Sequence, residues 1–209
     1  MKKFGINWLK NNTLSSIKNR HSVRIFLDKP VDDEDLKTIL NAANQAPSAH
    51  NQQSWRFIVI RGEKKSDLAN LICAKAGTFS KPSSTLLRLA SRSIASAPVV
   101  VAVANSGELI SRGPELFKVD KNKSAAHDFF RIMEIQSSAA AVQNLLIAAT
   151  SLGLATVWLG VLVLIKNDIL KFLGEPEGEF MAVVPVGYAA KPSGNGPQKQ
   201  PLNMVVKTL

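Results

Sequence analysis

The sequence predicts a single domain mixing strands and helices, and three observations carry that prediction. Short apolar runs rich in β-branched residues, "WRFIVI" (55–60), "APVVVAVA" (97–104) and "FMAVVPVGY" (180–188), have the continuity of strands buried on both faces. Among them lie segments with helical periodicity, the longest reaching from Ala125 to Leu152. The chain has 209 residues and is 45% apolar, enough for one real core, and shows neither an internal repeat nor a dividing linker.

Taken in order, residues 1–16 read as an N-terminal extension and residues 17–209 as the folded domain. The start, "MKKFGINWLKNNTLSSIK", is positively charged but lacks the apolar core and cleavage site of a secretory signal. "RHSVR" (20–24) then gathers basic side chains just before an ordinary apolar stretch. In "PVDDEDLKTILNAANQAPSAHNQ" Asp32 is placed to cap a helix with further acids in its first turn. Leu36, Ile39, Leu40 and Ala43 form its apolar face, and Pro47 closes it. Residues 47–54 make a polar connection into the first strand, a position where loops often carry function.

Residues 63–76 and 84–95 read as helices. The segment 105–123, with Gly107, Gly113, Pro114 and several lysines, has no periodicity and reads as a mobile loop or lid. The long helix carries Phe129, Ile132, Met133, Val142, Leu145, Leu146 and Ala149, with a small-residue stretch at Ala139–Ala141, which suits a central or interface position. "ATVWLG" (155–160) reads as extended, and "KNDILKFLG" (166–174) as a short helix ended by Gly174. Residues 190–209 form a Pro- and Gly-bearing tail with an apolar pair, Val205 and Val206, near its end.

The formal net charge of +10 favours anionic partners without choosing among nucleic acid, membrane surface, phosphorylated ligand and acidic protein. Nucleic acid is disfavoured by the lack of a recognition helix or a strand interleaving aromatic and basic residues. The single cysteine, Cys73, permits no intrachain disulfide, and the longest apolar run, 152–165, is short for a membrane span. A soluble, cytoplasmic protein is the expectation. No metal site is expected, since His21, His50 and His127 fall in no ligand spacing, and P-loop, G-x-G-x-x-G and G-x-S-x-G motifs are all missing.

What remains is a set of anion donors and amides in separated segments: Arg20, His21, Ser22 and Arg24, then Ser48, Asn51 and Gln53, then Lys199. Arginine forks and a hydroxyl suit a phosphate, and amides suit a heterocycle that shows donors and acceptors together. The residues by themselves therefore describe a binder of a phosphorylated heterocyclic ligand.

Four motifs in order, spanning Ile17 to Val206, resemble the FMN-dependent nitroreductases. "RHSVR" resembles the family's R-R-S-x-R, and "APSAHNQQSW" its A-P-S-x-x-N-x-Q-P-W. "QNLLIAATSLGLATVWLG" is similar to Q-N-L-x-L-A-A-x-x-x-G-L-G-x-x-W-x-G, and "VVPVGYAAKP" followed by "QKQPL" to the family's last strand, Gly-Tyr turn and basic tail. The resemblance implies an α+β three-layer sandwich, its mainly antiparallel sheet flanked by helices, in a homodimer with a domain-swapped tail and two FMN molecules at the interface. It implies NADH or NADPH as electron donor and a flat electrophilic acceptor such as a nitroaromatic or quinone, served by a ping-pong mechanism. Flavin N5 would carry the chemistry, with no catalytic side chain. The alternatives are a specialised flavoenzyme of the same fold, such as a dehalogenase or flavin-destructing enzyme, and an acidic redox protein as a further partner.

By the same resemblance, Arg20, His21, Ser22, Arg24 and Lys199 hold the FMN phosphate and ribityl chain. Pro47, Ser48, Ala49, Asn51 and Gln53 line the flavin from the other subunit, with Gln143, Trp158, Leu159 and Gly160 on another side. Arg56 and Asn51 are alternative donors to the N1/C2 edge, and residues 105–124 cover the substrate. His21, Ser54, Ala155 and Ser137 depart from the family's usual arginine, proline, glycine and aspartate. Plainer readings stand beside these: Gln143 satisfying a buried backbone group, Trp55, Trp158 and Cys73 as core, His50 and His127 as polar surface.

Overall fold

In the computed structural model, which describes residues 11–116, 123–191 and 196–209, four strands make the central sheet. β1 (Trp55–Ile60), β2 (Val99–Asn105), β3 (Ala155–Thr156) and β4 (Glu179–Gly187) lie in the order β1-β2-β4-β3, each neighbouring pair antiparallel. β2 is buried along its whole length, which is why it shows no polar alternation. Val100, Ala102 and Ala104 face one core, and Val99, Val101 and Val103 the other. A register shift between Val103 and Ala104 makes room for an extra residue in β4, so the consecutive Met181 and Ala182 both enter the second core.

Helices close both faces. α3 (Gly62–Ala76), α4 (Lys81–Ser96), a 3₁₀ turn at Gly160–Ile165 and α7 (Lys166–Leu173) cover the first core through Leu68, Leu87, Leu162 and Ile169. α2 (Asp33–Asn44) and α6 (Lys123–Ser151) cover the second through Ile39, Val142, Leu145 and Ala149. The α+β three-layer sandwich is the observed architecture. Local signals explain the helix ends: Asp32 accepts the Glu34 N–H at 2.7 Å to cap α2, and Gly174 adopts φ 78° to end α7. Among the described residues, no helix is long and apolar enough to cross a membrane.

Three expectations need correction. The segment 105–123 is not wholly irregular, because it contains α5 (Glu108–Leu116), while residues 117–122 lie outside the described residues. Gly113, which reads as a breaker, is a packing requirement instead: a Cβ there would sit 2.7 Å from the Phe130 ring. Residues 155–160 pair with β4 only at Ala155 and Thr156 before the chain turns into the 3₁₀ segment. Finally, α1 (Asn12–Asn19), capped by Asn11 accepting the Leu14 N–H at 2.9 Å, packs along α6 where no helix was expected.

One ion pair ties α6 to β4. Arg131 reaches Glu179 with two parallel hydrogen bonds of 2.7 and 3.0 Å, and the pair holds the Glu179 carboxyl below its usual range. A depressed carboxyl contributes stability above its unfolded pKa and loses it as pH falls through the folded value. With the Arg131 side chain 37% exposed, solvent screening limits the contribution to about 1 kcal/mol. Glu179→Gln should therefore lower stability to urea by about that amount at pH 7. The gap to wild type should close as pH falls below about 4, and a gap independent of pH would contradict the assignment.

Candidate functional site

The basic head of the domain is shaped by where α1 stops. Arg20 leaves the helix with φ −61° and ψ 122°, while its N–H still reaches Ser16 O at 2.9 Å. The chain then runs along the sheet: the Val23 N–H donates to Thr156 O at 2.9 Å, the Leu27 N–H to Tyr188 O at 2.8 Å, and the Ala190 N–H to Ile25 O at 3.1 Å. Arg20, His21 and Val23 line an open cleft of ≈ 550 Å³, whereas Ser22 and Arg24 are exposed and lie outside its lining.

The tail completes that cleft. Lys199 lines it together with Lys18, and Gly196 approaches so closely that a Cβ would come 2.9 Å from the His21 Cβ. The His21 Nδ1 lies 2.8 Å from Asn19 O, a contact that puts the proton of a neutral ring on Nδ1. Lys18, Arg20 and Lys199 thus bring three cations to a cleft lined by no carboxylate among the described residues, a field suited to an anion.

A second cleft, ≈ 320 Å³, lies where Pro47, Ser48 and Ala49 meet Met133, Gln136, Ser137 and Ala140 of α6. The connecting loop is strained: His50, Asn51 and Gln53 have φ of 51°, 55° and 49°, left-handed values that cost a non-glycine residue about 1 kcal/mol or more. Local hydrogen bonds hold it. Ser137 Oγ accepts the Ala49 N–H at 3.0 Å and donates to Met133 O at 2.7 Å, while Ser48 Oγ accepts the Gln53 N–H at 3.1 Å. The Gln53 amide donates to Asn51 O and Oδ1 at 3.2 and 3.1 Å, and Trp55 Nε1 donates to Asn44 Oδ1 at 2.9 Å where the loop enters β1. Asn51 and Gln53 remain exposed.

The other candidates lie apart from both. Gln143 is exposed on α6, and its neighbour Asn144 is the residue that satisfies a backbone group, donating to Ala42 O at 3.2 Å. Trp158 packs half-buried on the second core, Leu159 is buried with its N–H bonded to Val183 O at 3.0 Å, and Gly160 is exposed. Arg56 is exposed on β1. In the single chain the two clefts share no lining residue, and α6 links them, Ala140 in one and Thr150 in the other. At 1.5 Å per residue these stand about 15 Å apart along the helix, with Gln143 between them.

Sequence reading missed Lys18 and Gly196 as walls of the first cleft, and gave Ser137 no role. A lysine two residues before the basic pentad was the one legible hint. Nothing local marks Ser137, whose partner Ala49 is 88 residues away.

Fold and clefts define an α+β protein with an open cleft lined by three cations. Comparison assigns the family: the nitroreductase family model matches residues 17–188, and the chain belongs to that family. The matched residues stop short of Lys199. An Archaeoglobus fulgidus protein assigned as an NADH dehydrogenase/NAD(P)H nitroreductase is 33% identical over 180 residues, 84% of each chain. Among solved structures, a nitroreductase with bound FMN from Desulfitobacterium hafniense DCB-2 superposes with a TM-score of 0.70 at 25% identity, covering 95% of this chain and 99% of that one. NfrA2 of B. megaterium gives a TM-score of 0.74 at 23% identity over 94% of this chain and 74% of its own, a likeness of fold alone.

If Ser137 secures the strained loop, Ser137→Ala should lower stability by about 1 kcal/mol, the net contribution of one hydrogen bond. Amide exchange at Ala49 should quicken at the same time, and unchanged exchange there would refute the role.

Proposed function

We propose that this nitroreductase-family flavoprotein is an FMN-dependent oxidoreductase that takes electrons from NADH or NADPH and delivers them to a flat electrophilic molecule such as a nitroaromatic or quinone. The observation that carries the reading is the convergence of Arg20, His21 and Lys199, head and tail of the chain, on one cleft without carboxylates among the described residues. A phosphate monoester brings about two negative charges at neutral pH, and each charge-assisted hydrogen bond contributes roughly 1.5 to 3 kcal/mol. In this reading those three residues hold the phosphate. Ser22 and Arg24 are exposed outside that cleft's lining, where they meet the ribityl chain or solvent.

When bound, FMN would supply the redox chemistry between the nicotinamide donor and the acceptor. The protein binds and orients. Pro47, Ser48, Ala49, Asn51 and Gln53 form a preshaped polar rim whose left-handed residues are already locked by hydrogen bonds, so little ordering remains to be done on binding. Donor and acceptor use one open face in turn, so initial-rate plots at several acceptor concentrations should be parallel, as ping-pong kinetics requires.

A homodimer is supported by what a single chain leaves uncovered. α6 exposes Phe129, Ile132, Gln136 and Gln143, residues spaced along one stripe, and the tail exposes Leu202, Met204, Val205 and Val206. A second copy packed on α6 would cover the stripe, receive the tail, and bring the loop of one subunit beside the cationic cleft of the other. Sedimentation should give a dimer at micromolar concentration, and a stable FMN-loaded monomer would contradict this arrangement.

The decisive test is flavin titration into apoprotein of the wild type, Lys199→Ala, Arg20→Ala and the double variant. Each single change should weaken FMN about ten- to a hundredfold and leave riboflavin, which has no phosphate, nearly unaffected. The two losses should be non-additive, since both side chains grip one group. Equal losses for the two flavins, or none for FMN, would sink the phosphate assignment.

A further inference from the structure

We propose that Glu134 is a positioning residue for the reaction: it anchors the start of α5 to α6 and so fixes the wall of the acceptor site beside Ala49. The inference rests on the functional reading above and names the residue behind its specificity. Glu134 lies in the middle of α6 and is 1% exposed, yet its carboxylate does not point into apolar packing. Oε1 accepts the Leu109 N–H at 2.8 Å, and the neighbouring backbone amides of Gly107 and Ile110 also favour the ionised carboxylate.

These amides belong to the entry and first turn of α5, where a helix has no internal acceptors and where its dipole favours negative charge. The residue before Glu108 is Gly107, held at φ 74° and without a side chain to cap the helix. A carboxylate from another helix, 25 residues further on, does the capping instead. The arrangement is costly. Burial pushes the Glu134 carboxyl above its usual range, with the carboxylate of Glu108 adding to the push and the three amides opposing it. Oε2 of Glu134, Nδ2 of Asn105 and Oγ of Ser106 are buried without a protein partner. Ser138, one turn along α6, is hydrogen-bonded to the Asn105 Oδ1. An apolar side chain at position 134 would pack here without that expense, so a polar one is explained by what it holds.

What it holds is a three-way junction. Leu109 of α5 and Phe130 of α6 form a small core with Ile110, Met133 and Ala49, and Gly113 lies against the Phe130 ring. Ala49 and Met133 also line the second cleft, and Ala49 is tied to α6 by Ser137. Loop 47–53 and α5 therefore register against the same two turns of α6. β1 and β2 fix the loop and the approach to α5 through the Ser106 N–H, which donates to Ser54 O at 2.8 Å, but α5 itself is set by the small core and Glu134.

The test uses FMN-reconstituted full-length protein as wild type, Glu134→Ala and Glu134→Gln. Two readouts are combined: amide exchange at Leu109, and steady-state kinetics with quinones of increasing ring size, ferricyanide serving as an acceptor that needs no shaped wall. Glu134→Ala should speed exchange at this amide roughly ten- to a hundredfold. It should raise KM for the larger quinones about tenfold while FMN affinity and kcat with ferricyanide hold. Glu134→Gln keeps one acceptor oxygen and should fall between wild type and Glu134→Ala on both readouts. If Glu134→Ala does not fold, Glu134→Gln carries the comparison, and wild-type exchange in it overturns the proposal. Faster exchange with unchanged KM values makes Glu134 a structural cap only, which also overturns it. A wild-type protein that reduces no acceptor, in which the variants still show faster exchange, refutes the functional reading and leaves the anchor of α5 standing.

Discussion

α6 packs across one face of β2 and β4, and the geometry of both clefts follows from that contact. Val142, Leu145 and Ala149 are fully buried against the sheet, and burying a side chain the size of Val142 or Leu145 contributes roughly 1.5 to 3 kcal/mol. With one side of the helix committed in this way, its remaining positions are fixed in rotation. Ser137 and Met133 are presented to loop 47–53, Thr150 to the cationic cleft, and Gln143 to open solvent between them. A rotation of one residue about the helix axis, about 100°, would take all of these groups away from their partners. The apolar core thus sets the register for the polar chemistry.

The two clefts obtain their character by opposite means. In the first, the chemistry is charge: three cations converge with no described carboxylate to neutralise them, and a folded chain tolerates this because the cleft is open and water screens the mutual repulsion. In the second, the chemistry is shape. The loop with left-handed His50, Asn51 and Gln53 is held by bonds from Ala49 to Ser137 and from Gln53 to Ser48 and Asn51, so the rim exists before any ligand arrives. On the function proposed above, charge at long range and a rim at short range would be complementary devices for a ligand with an anionic end and a flat body.

How much of this was legible in the sequence depends on how local its cause is. β1 was readable to the residue because "WRFIVI" is apolar and bounded by polar neighbours, and the α2 cap because Asp32 acts on Glu34, two positions away. α1 and α5 were not. α1 is polar except for a few positions and gains its order by lying along α6. α5 carries Gly113 and Pro114, residues that ordinarily interrupt a helix, and its formation depends on Phe130 and Glu134, which the chain reaches only after the residues between. Of the site, the head and tail cations were legible as residue types, and their meeting was supplied by resemblance rather than by pattern. Ser137 and Glu134 carried no local signal at all.

The parts of the molecule that were hard to read are those that differ most in physical kind from the rest. The sheet and its two cores are held by many interchangeable apolar contacts, and the loss of any one leaves the pattern intact. The junction of α5, α6 and loop 47–53 is held by a few directional bonds in a small core, two of its groups buried polar atoms. Such a junction can change its shape through one or two substitutions without disturbing the sandwich, because the cores do not share its residues. That separation lets the cleft built where α1, the sheet edge and the tail meet stay intact while the junction is open to revision. On the function proposed above, acceptor choice would belong to the junction, and retention of the flavin to the head, the tail and the sheet.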